Sequence, residues 1–232
     1  MRWVLLAALA GCSFSRTDGT AVDAPPGDAP AVDAVEVARC RVRPAAAGTE
    51  QPSVGGPGGG GRPELVCPTG ELPIGASFDT SVNTLGMGFN FQQAVVSVHI
   101  RCGAIARTKL NVMATTPSGE LTRAGTTCAG ATSSSGEKLC PAGAVLVAIR
   151  GNASGGQFSS LNSVQLECAA LAPDGSITGM RTTLDFRPDT GNYTNDQRTS
   201  SCPTGTAIVA FGGKAGCTQD QLSAKCAPLT CD

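Results

Sequence analysis

The 232-residue chain carries 17 Lys+Arg against 18 Asp+Glu, a formal net charge of -1. With no basic run, it offers neither nucleic acid nor an anionic membrane surface an electrostatic footprint. Thirty glycines, 15 prolines and 41% hydrophobic residues, without long apolar patterns of helical period, point to one all-β core with many turns.

Eleven cysteines belong to an oxidising compartment or a metal site. No Cys-x-x-Cys pair occurs, and the single histidine, His99, stands in a strand pattern between Val98 and Ile100. Metal and cofactor are therefore not expected. Alternation places His99 on a polar face, as a solvated surface residue.

The front of the chain has its own logic. Arg2 precedes an apolar stretch over residues 3–10, and Leu9-Ala10-Gly11-Cys12 resembles the lipobox of bacterial lipoprotein signal peptides. The resemblance implies removal of residues 1–11 and lipidation of Cys12, so that the membrane is reached through a lipid anchor. By resemblance to Gram-negative lipoproteins, Ser13 in place of Asp favours the outer membrane or cell surface. The apolar stretch is too short to span a bilayer as a helix, which takes about 20 residues. Residues 12–34, rich in Ala, Asp, Pro and Gly, read as a disordered tether. Residues 35–232 then form the folded domain, with ten cysteines and so up to five disulfides. Within it, Gly55-Gly56-Pro57-Gly58-Gly59-Gly60-Gly61 lacks a following Lys-Ser/Thr and reads as a flexible surface loop, not a phosphate loop.

A threefold repeat organises the rest. Cys67-Pro68-Thr69-Gly70, Cys140-Pro141-Ala142-Gly143 and Cys202-Pro203-Thr204-Gly205 open three units that close at Cys102, Cys168 and Cys226. After each opening, apolar residues alternate: Leu72, Ile74, Ala76; Val145, Val147, Ile149; Ala207, Val209, Phe211. Before each closing cysteine they alternate again, at Val98 and Ile100, Val164 and Leu166, Leu222 and Ala224. Each unit is thus an antiparallel pair with one face on a core. Such a pair brings its end cysteines together, predicting Cys67–Cys102, Cys140–Cys168 and Cys202–Cys226.

An aliphatic recurs at Ile105, Leu171 and Leu229. Thr116-Pro117-Ser118-Gly119 then aligns with the turn signal Ala172-Pro173-Asp174-Gly175, predicting a shared turn and a further strand. The repeats span about 67–139, 140–201 and 202–232. The last is short by two strands, for which 35–42 and 64–66 have strand-like composition, so residues 35–66 would complete it and protect its edges. Cys40, Cys128, Cys217 and Cys231 allow three pairings, of which closure favours Cys40–Cys231, leaving Cys128–Cys217.

Leu161-Asn162-Ser163-Val164-Gln165-Leu166-Glu167-Cys168, preceded by Cys140-Pro141-Ala142-Gly143, resembles the repeat of vitelline membrane outer layer protein. The resemblance covers residues 67–232. It implies a pseudo-threefold β-prism of three four-stranded sheets, an architecture shared with jacalin-type lectins, here braced by disulfides. The family's acidic loop ahead of Leu-Asn is absent, and Val96 stands in the first repeat where Asn would be. In the third repeat Gly216 to Asp220 is similar to the Gly-x-x-x-Asp sugar loop of jacalin-type lectins. That resemblance implies a carbohydrate site formed by Gly212, Gly213, Gly216 and Asp220, the carboxylate accepting sugar hydroxyls and glycines letting backbone amides approach. The matching positions Val96 and Asn162 lack a carboxylate, so one site at most is expected.

No convergent acid, base or nucleophile is visible, and the chain is not expected to be an enzyme. Two functions remain. One is an outer-membrane lipoprotein with a lectin-like domain and glycan partners. The other is a non-catalytic structural or protein-interaction module of the cell envelope, whose partner is another envelope protein.

Overall fold

The computed structural model describes residues 40–56, 58–81, 94–124, 133–153, 161–186, 197–216 and 218–232. The lipobox with Cys12, the tether, and Cys128 with Cys217 lie outside these residues.

Five short strands come first: β1 (Arg41–Pro44), β2 (Thr49–Glu50), β3 (Val54–Gly55), β4 (Gly60–Gly61) and β5 (Leu65–Val66). The first repeat supplies β6 (Leu72–Ser81), β7 (Ala94–Arg107), β8 (Met113–Ala124), β9 (Ser133–Ser134) and β10 (Lys138–Leu139). The second supplies β11 (Ala144–Ala153), β12 (Leu161–Leu171), β13 (Ile177–Phe186) and β14 (Gln197–Ser201), and the third β15 (Thr206–Gly212), β16 (Lys214–Ala215) and β17 (Gln221–Cys231).

Pairing sorts them into the three sheets of a β-prism. The first has β8 beside β7 beside β6, with β9 and β10 on the far edge of β6. The second runs β13-β12-β11-β14. In the third, β17 pairs with β15 and β15 with β5, while β1, β2 and β3 line up along the other edge of β17. The third sheet thus draws four of its six strands from residues 41–66. Strand β1 also pairs with β7 through Arg41 and Val42, which joins the first and third sheets.

The repeated sequence has a repeated physical cause. In all three Cys-Pro-x-Gly openings the proline carbonyl accepts from the amide three residues on, from Glu71, Ala144 and Thr206 at 2.9, 3.0 and 3.0 Å. The glycine of each has positive φ, 81°, 70° and 79° at Gly70, Gly143 and Gly205. Only glycine enters that region without a steric cost, which fixes the motif's last letter.

Strict alternation fails on the strands that follow. Each carries a β-bulge at the same place, at Ile74, Val147 and Val209, where the partner register skips a residue opposite the closing cysteine. A bulge adds a residue and switches which face the next side chain takes. Hence Val145 and Val147 pack with Ile74 and Val209 in one apolar cluster, while Leu146 and Ile149 pack with Phe78, Ile208 and Phe211 in the other. Both clusters draw side chains from all three sheets. The bulged residue also links successive repeats: the Ile74 carbonyl accepts from the Cys140 amide and the Val147 carbonyl from the Cys202 amide, both at 2.8 Å.

The shared turn also splits in two. Pro173-Asp174-Gly175 forms it in the second repeat, where the Asp174 carboxylate accepts from the Ser176 amide (2.9 Å) and hydroxyl (2.6 Å). Those bonds, the side-chain one first, hold Asp174 below the ordinary carboxylate range. In the first repeat Thr116-Pro117-Ser118-Gly119 instead lies inside β8, with Ser118 and Gly119 at an irregularity between the pairs Gly103–Pro117 and Arg101–Glu120. The turn is displaced to Thr108–Val112, with Asn111 at φ 57°. Chain length explains this: Pro117 lies 15 residues after Cys102 but Pro173 only 5 after Cys168, and the extra residues extend the hairpin.

Disulfides join Cys67 to Cys102, Cys140 to Cys168 and Cys202 to Cys226, with Cα–Cα distances of 5.6, 5.7 and 5.5 Å. A fourth joins Cys40 to Cys231 at 4.9 Å, across 191 residues. In the chain-entropy treatment a loop of that length contributes about 5 kcal/mol, against about 3.5 for the 28-residue Cys140–Cys168 loop. Replacing both Cys40 and Cys231 by alanine is therefore expected to destabilise the domain more than replacing both Cys140 and Cys168. Denaturant unfolding of the two oxidised variants measures the order, and the reverse order would contradict the closure role.

Candidate functional site

One end of the prism is organised by three residues, each seven positions before a closing cysteine: Val95, Leu161 and Gln219. The Gln219 amide donates to the Val95 carbonyl (2.7 Å) and the Leu161 amide to the Gln219 carbonyl (2.9 Å). Gln219 is fully buried, and its side-chain amide donates to the carbonyls of Lys214 (2.9 Å) and Gln221 (3.1 Å). The third repeat's loop is thereby tied to the other two repeats and to itself.

Asp220 follows directly. Its amide donates to the Lys214 carbonyl at 3.0 Å, and its carbonyl accepts from Gly56 at 2.9 Å. The carboxylate accepts from the Gly216 amide through Oδ2 (2.8 Å) and from the Thr218 hydroxyl through Oδ1 (3.4 Å). Only 8% of the residue is exposed, and no described cation pairs with it. Burial pushes its carboxyl above the ordinary value, and the bonds from Gly216 and Thr218 offset this only in part.

The four glycine-loop positions read from sequence part company here. Gly216 borders the carboxylate, since a Cβ there would stand 3.2 Å from Oδ2. Gly212 and Gly213 are one strand away. A Cβ on Gly212 would meet the Ser223 hydroxyl at 2.8 Å, and one on Gly213 would overlap the Gln221 carbonyl, so both are spent on the tight passage from β15 into β16.

The segment the sequence missed is the glycine run 55–61. Read as a flexible surface loop, it has two residues, Gly58 and Gly59, set against the Asp220 carboxylate. Strand β4 pairs with β16 through Gly60–Ala215 and Gly61–Lys214, and Arg62 Nε donates to the Ala215 carbonyl at 3.3 Å. A Cβ on Gly59 (φ +72°) would overlap Asp220 Oδ2, and one on Gly58 would stand 3.3 Å from its carboxyl carbon. Glycine is required here by close approach, a reason composition alone conceals.

His99 differs from its expected solvated state. Its Nε2 lies 2.7 Å from Asp79 Oδ2, and its Nδ1 lies 3.0 Å from the Thr122 hydroxyl and 3.3 Å from Glu120 Oε1. Arg101 extends the row to Glu137 at 2.5 Å and Glu120 at 3.7 Å. This is a ladder of cross-strand pairs over β6, β7 and β8. The backbone of β7 at His99 pairs with β6 on one side and β8 on the other. Among the described residues no group of three His, Cys, Asp or Glu could hold a metal ion.

No protein-family model and no curated protein sequence matches the chain. Solved structures do. The Calystegia sepium agglutinin aligns over 79% of this chain and 98% of its own with a TM-score of 0.50 and 11% identity. The Calsepa lectin in complex with a biantennary N-glycan covers 78% and 97% with 14% identity and a TM-score of 0.49. A mannose-binding jacalin-related lectin from Ananas comosus covers 78% and 97% with 15% identity and a TM-score of 0.39. At such identity the likeness to the Calystegia agglutinin establishes the fold alone, a β-prism of the jacalin type.

Two substitutions probe the site's energetics. Because folding raises the Asp220 value, the ionised carboxylate costs stability as pH rises through that value and costs nothing below the unfolded value near 3.8. Asp220→Asn keeps the volume and an acceptor for Gly216. It is expected to melt above the parent at pH 7, by about 2 to 4 °C per kcal/mol recovered, with the gap closing below pH 3.8. An equal or lower melting temperature at pH 7 would show that burial is not the dominant influence. Gly59→Ala, by contrast, is expected to destabilise at every pH by about 1 kcal/mol or more.

Proposed function

We propose that the protein is a lipid-anchored surface protein of a bacterial outer membrane whose β-prism binds carbohydrate at the loop around Asp220. One observation carries this reading. A carboxylate with no cationic partner among the described residues lies just beneath backbone, bordered by Gly58, Gly59 and Gly216, at the end of the prism where all three repeats meet. A desolvated carboxylate gains more from hydroxyl donors than a solvated one, and a sugar diol supplies two. Access runs past the exposed strand β4, which is held to β16 by two residue pairs. The architecture shared with the Calystegia agglutinin supports the reading as fold-level analogy only.

The anchor rests on Leu9-Ala10-Gly11-Cys12, and residues 12–34 then hold the domain, residues 35–232, away from the membrane. The protein is non-enzymatic in this proposal.

A second reading is a structural or protein-interaction module of the envelope. It is favoured by the same carboxylate's bonds to Gly216 and Thr218, which make Asp220 a brace for its own loop. A glycan array separates the two. Residues 35–232 are expected to give a sugar-dependent signal that falls at least tenfold in Asp220→Ala, a loss of about 1.4 kcal/mol or more. No signal, or one that Asp220→Ala leaves unchanged, favours the second reading. Palmitate labelling in a bacterial host tests the anchor, with incorporation expected to vanish in Cys12→Ala.

A further inference from the structure

A second concave site lies on the outer face of the third sheet, where residues 41–50 join β17. Pro44 pairs with Leu229 and Thr49 with Cys226, so the four residues 45–48 stand opposite only two. The excess swings outward and then dives back. A Cβ on Gly48 would stand 2.8 Å from Val209 Cγ2 and 2.9 Å from Lys225 Cβ, which pins the segment's end to the sheet. Between this bulge, strand β5 and the turn after Cys67 is a cleft of about 430 Å³.

Its two sides carry groups of opposite sign, each side including one ion pair, Arg43–Asp232 and Glu64–Lys225. On one side Arg43 uses only Nε, on Asp232 at 2.6 Å, and its two terminal amino groups have no partner among the described residues. On the other side stand two carboxylates. Glu64 engages Lys225 through Oε1 at 2.5 Å, and Glu71 accepts from the Ser118 hydroxyl through Oε2; the remaining oxygen of each has no described partner. The surface between is apolar and small: Pro44, Ala46, Ala47, Val209 and Val66, the last 55% exposed despite its side chain. Among the described residues no aromatic lines the cleft.

We infer that this cleft binds a small aliphatic zwitterion, a free amino acid or a short peptide. Its ammonium would meet the open oxygens of Glu64 and Glu71 and its carboxylate the guanidinium of Arg43. The apolar body would cover Val66 and Val209. A neutral sugar leaves both charged walls unanswered, and a ligand with one charge answers only one of them. A bidentate carboxylate is the geometry a guanidinium with two unused amino groups receives best.

The test is a titration of the ¹⁵N-labelled, oxidised full chain. The ligands are L-alanyl-L-alanine, its N-acetyl and C-amide forms, L-valine and methyl α-mannoside. The dipeptide is expected to shift the amides of Val66, Gly70 and Val209 saturably, with a Kd of about 1 mM or tighter. Each cap is expected to weaken binding by about tenfold or more, the loss of one charge-assisted contact. Arg43→Gln should stop distinguishing the dipeptide from its amide while still rejecting the N-acetyl form. Glu71→Gln should blunt the opposite preference. Comparing L-valine with the dipeptide decides between amino acid and peptide. The inference is overturned if no saturable shift occurs, if the capped forms bind as well as the free dipeptide, or if methyl α-mannoside displaces it. Because Asp220 is not among the cleft residues, failure here leaves the glycan array result untouched.

Discussion

The succession of the repeats turns on one backbone hydrogen bond, made in the same way at the two junctions between consecutive repeats. The residue that bulges out of the first strand of one repeat presents its carbonyl to the amide of the cysteine opening the next, Ile74 to Cys140 and Val147 to Cys202. A bulge leaves one residue unpaired with the strand opposite it, and here that residue's carbonyl serves the neighbour on the other edge. The same displacement lets both faces of β11 be buried, from Ala144 through Ile149. Disulfides opposite each bulge then fix its position, since Pro73, Leu146 and Ile208 pair with Cys102, Cys168 and Cys226.

At the third junction the preceding repeat's partner comes from much earlier in the chain. There Val66, next to Cys67, pairs with Ala210, next to the bulged Val209. The ring is closed by residues at both ends of the domain, and β1 between β7 and β17 removes the edge that would otherwise stand exposed. Among the described residues strand β13 pairs with β12 alone, and Met180 on it is 73% exposed.

Much of this was readable from residues because each repeat imposes the same local demands. A glycine three positions after a cysteine, at Gly70, Gly143 and Gly205, reports a positive φ wherever it occurs. Period-2 alternation before Cys102, Cys168 and Cys226 reports a half-buried strand. The bulges were not readable, because Leu72, Ile74 and Ala76 alternate in sequence whether or not the strand slips between them. Nor was the turn at Thr108–Val112, since Thr116-Pro117-Ser118-Gly119 has turn chemistry that the longer hairpin overrides. At the candidate site, Asp220 stood out only through the resemblance of Gly216 to Asp220 to the Gly-x-x-x-Asp loop of jacalin-type lectins. Gly58 and Gly59 beside it did not, for a glycine run looks alike whether it is solvated or pressed against a carboxylate. The polar row about His99 needed three strands brought side by side, and no local pattern encodes that.

The join between residues 41–66 and residues 206–231 sets the order in which the protein can form. The second sheet is built from contacts within residues 144–201 and can assemble as soon as they are available. In the third only the β15–β17 hairpin is local, because β1, β2, β3 and β5 are separated from it by most of the domain, and non-local pairing of this kind is slow. Until that join is made, the apolar side chains of the other two sheets that meet it, Phe78 and Leu146 among them, lack their covering wall. The folding intermediate most exposed to aggregation is therefore the one with two finished sheets and an open third side.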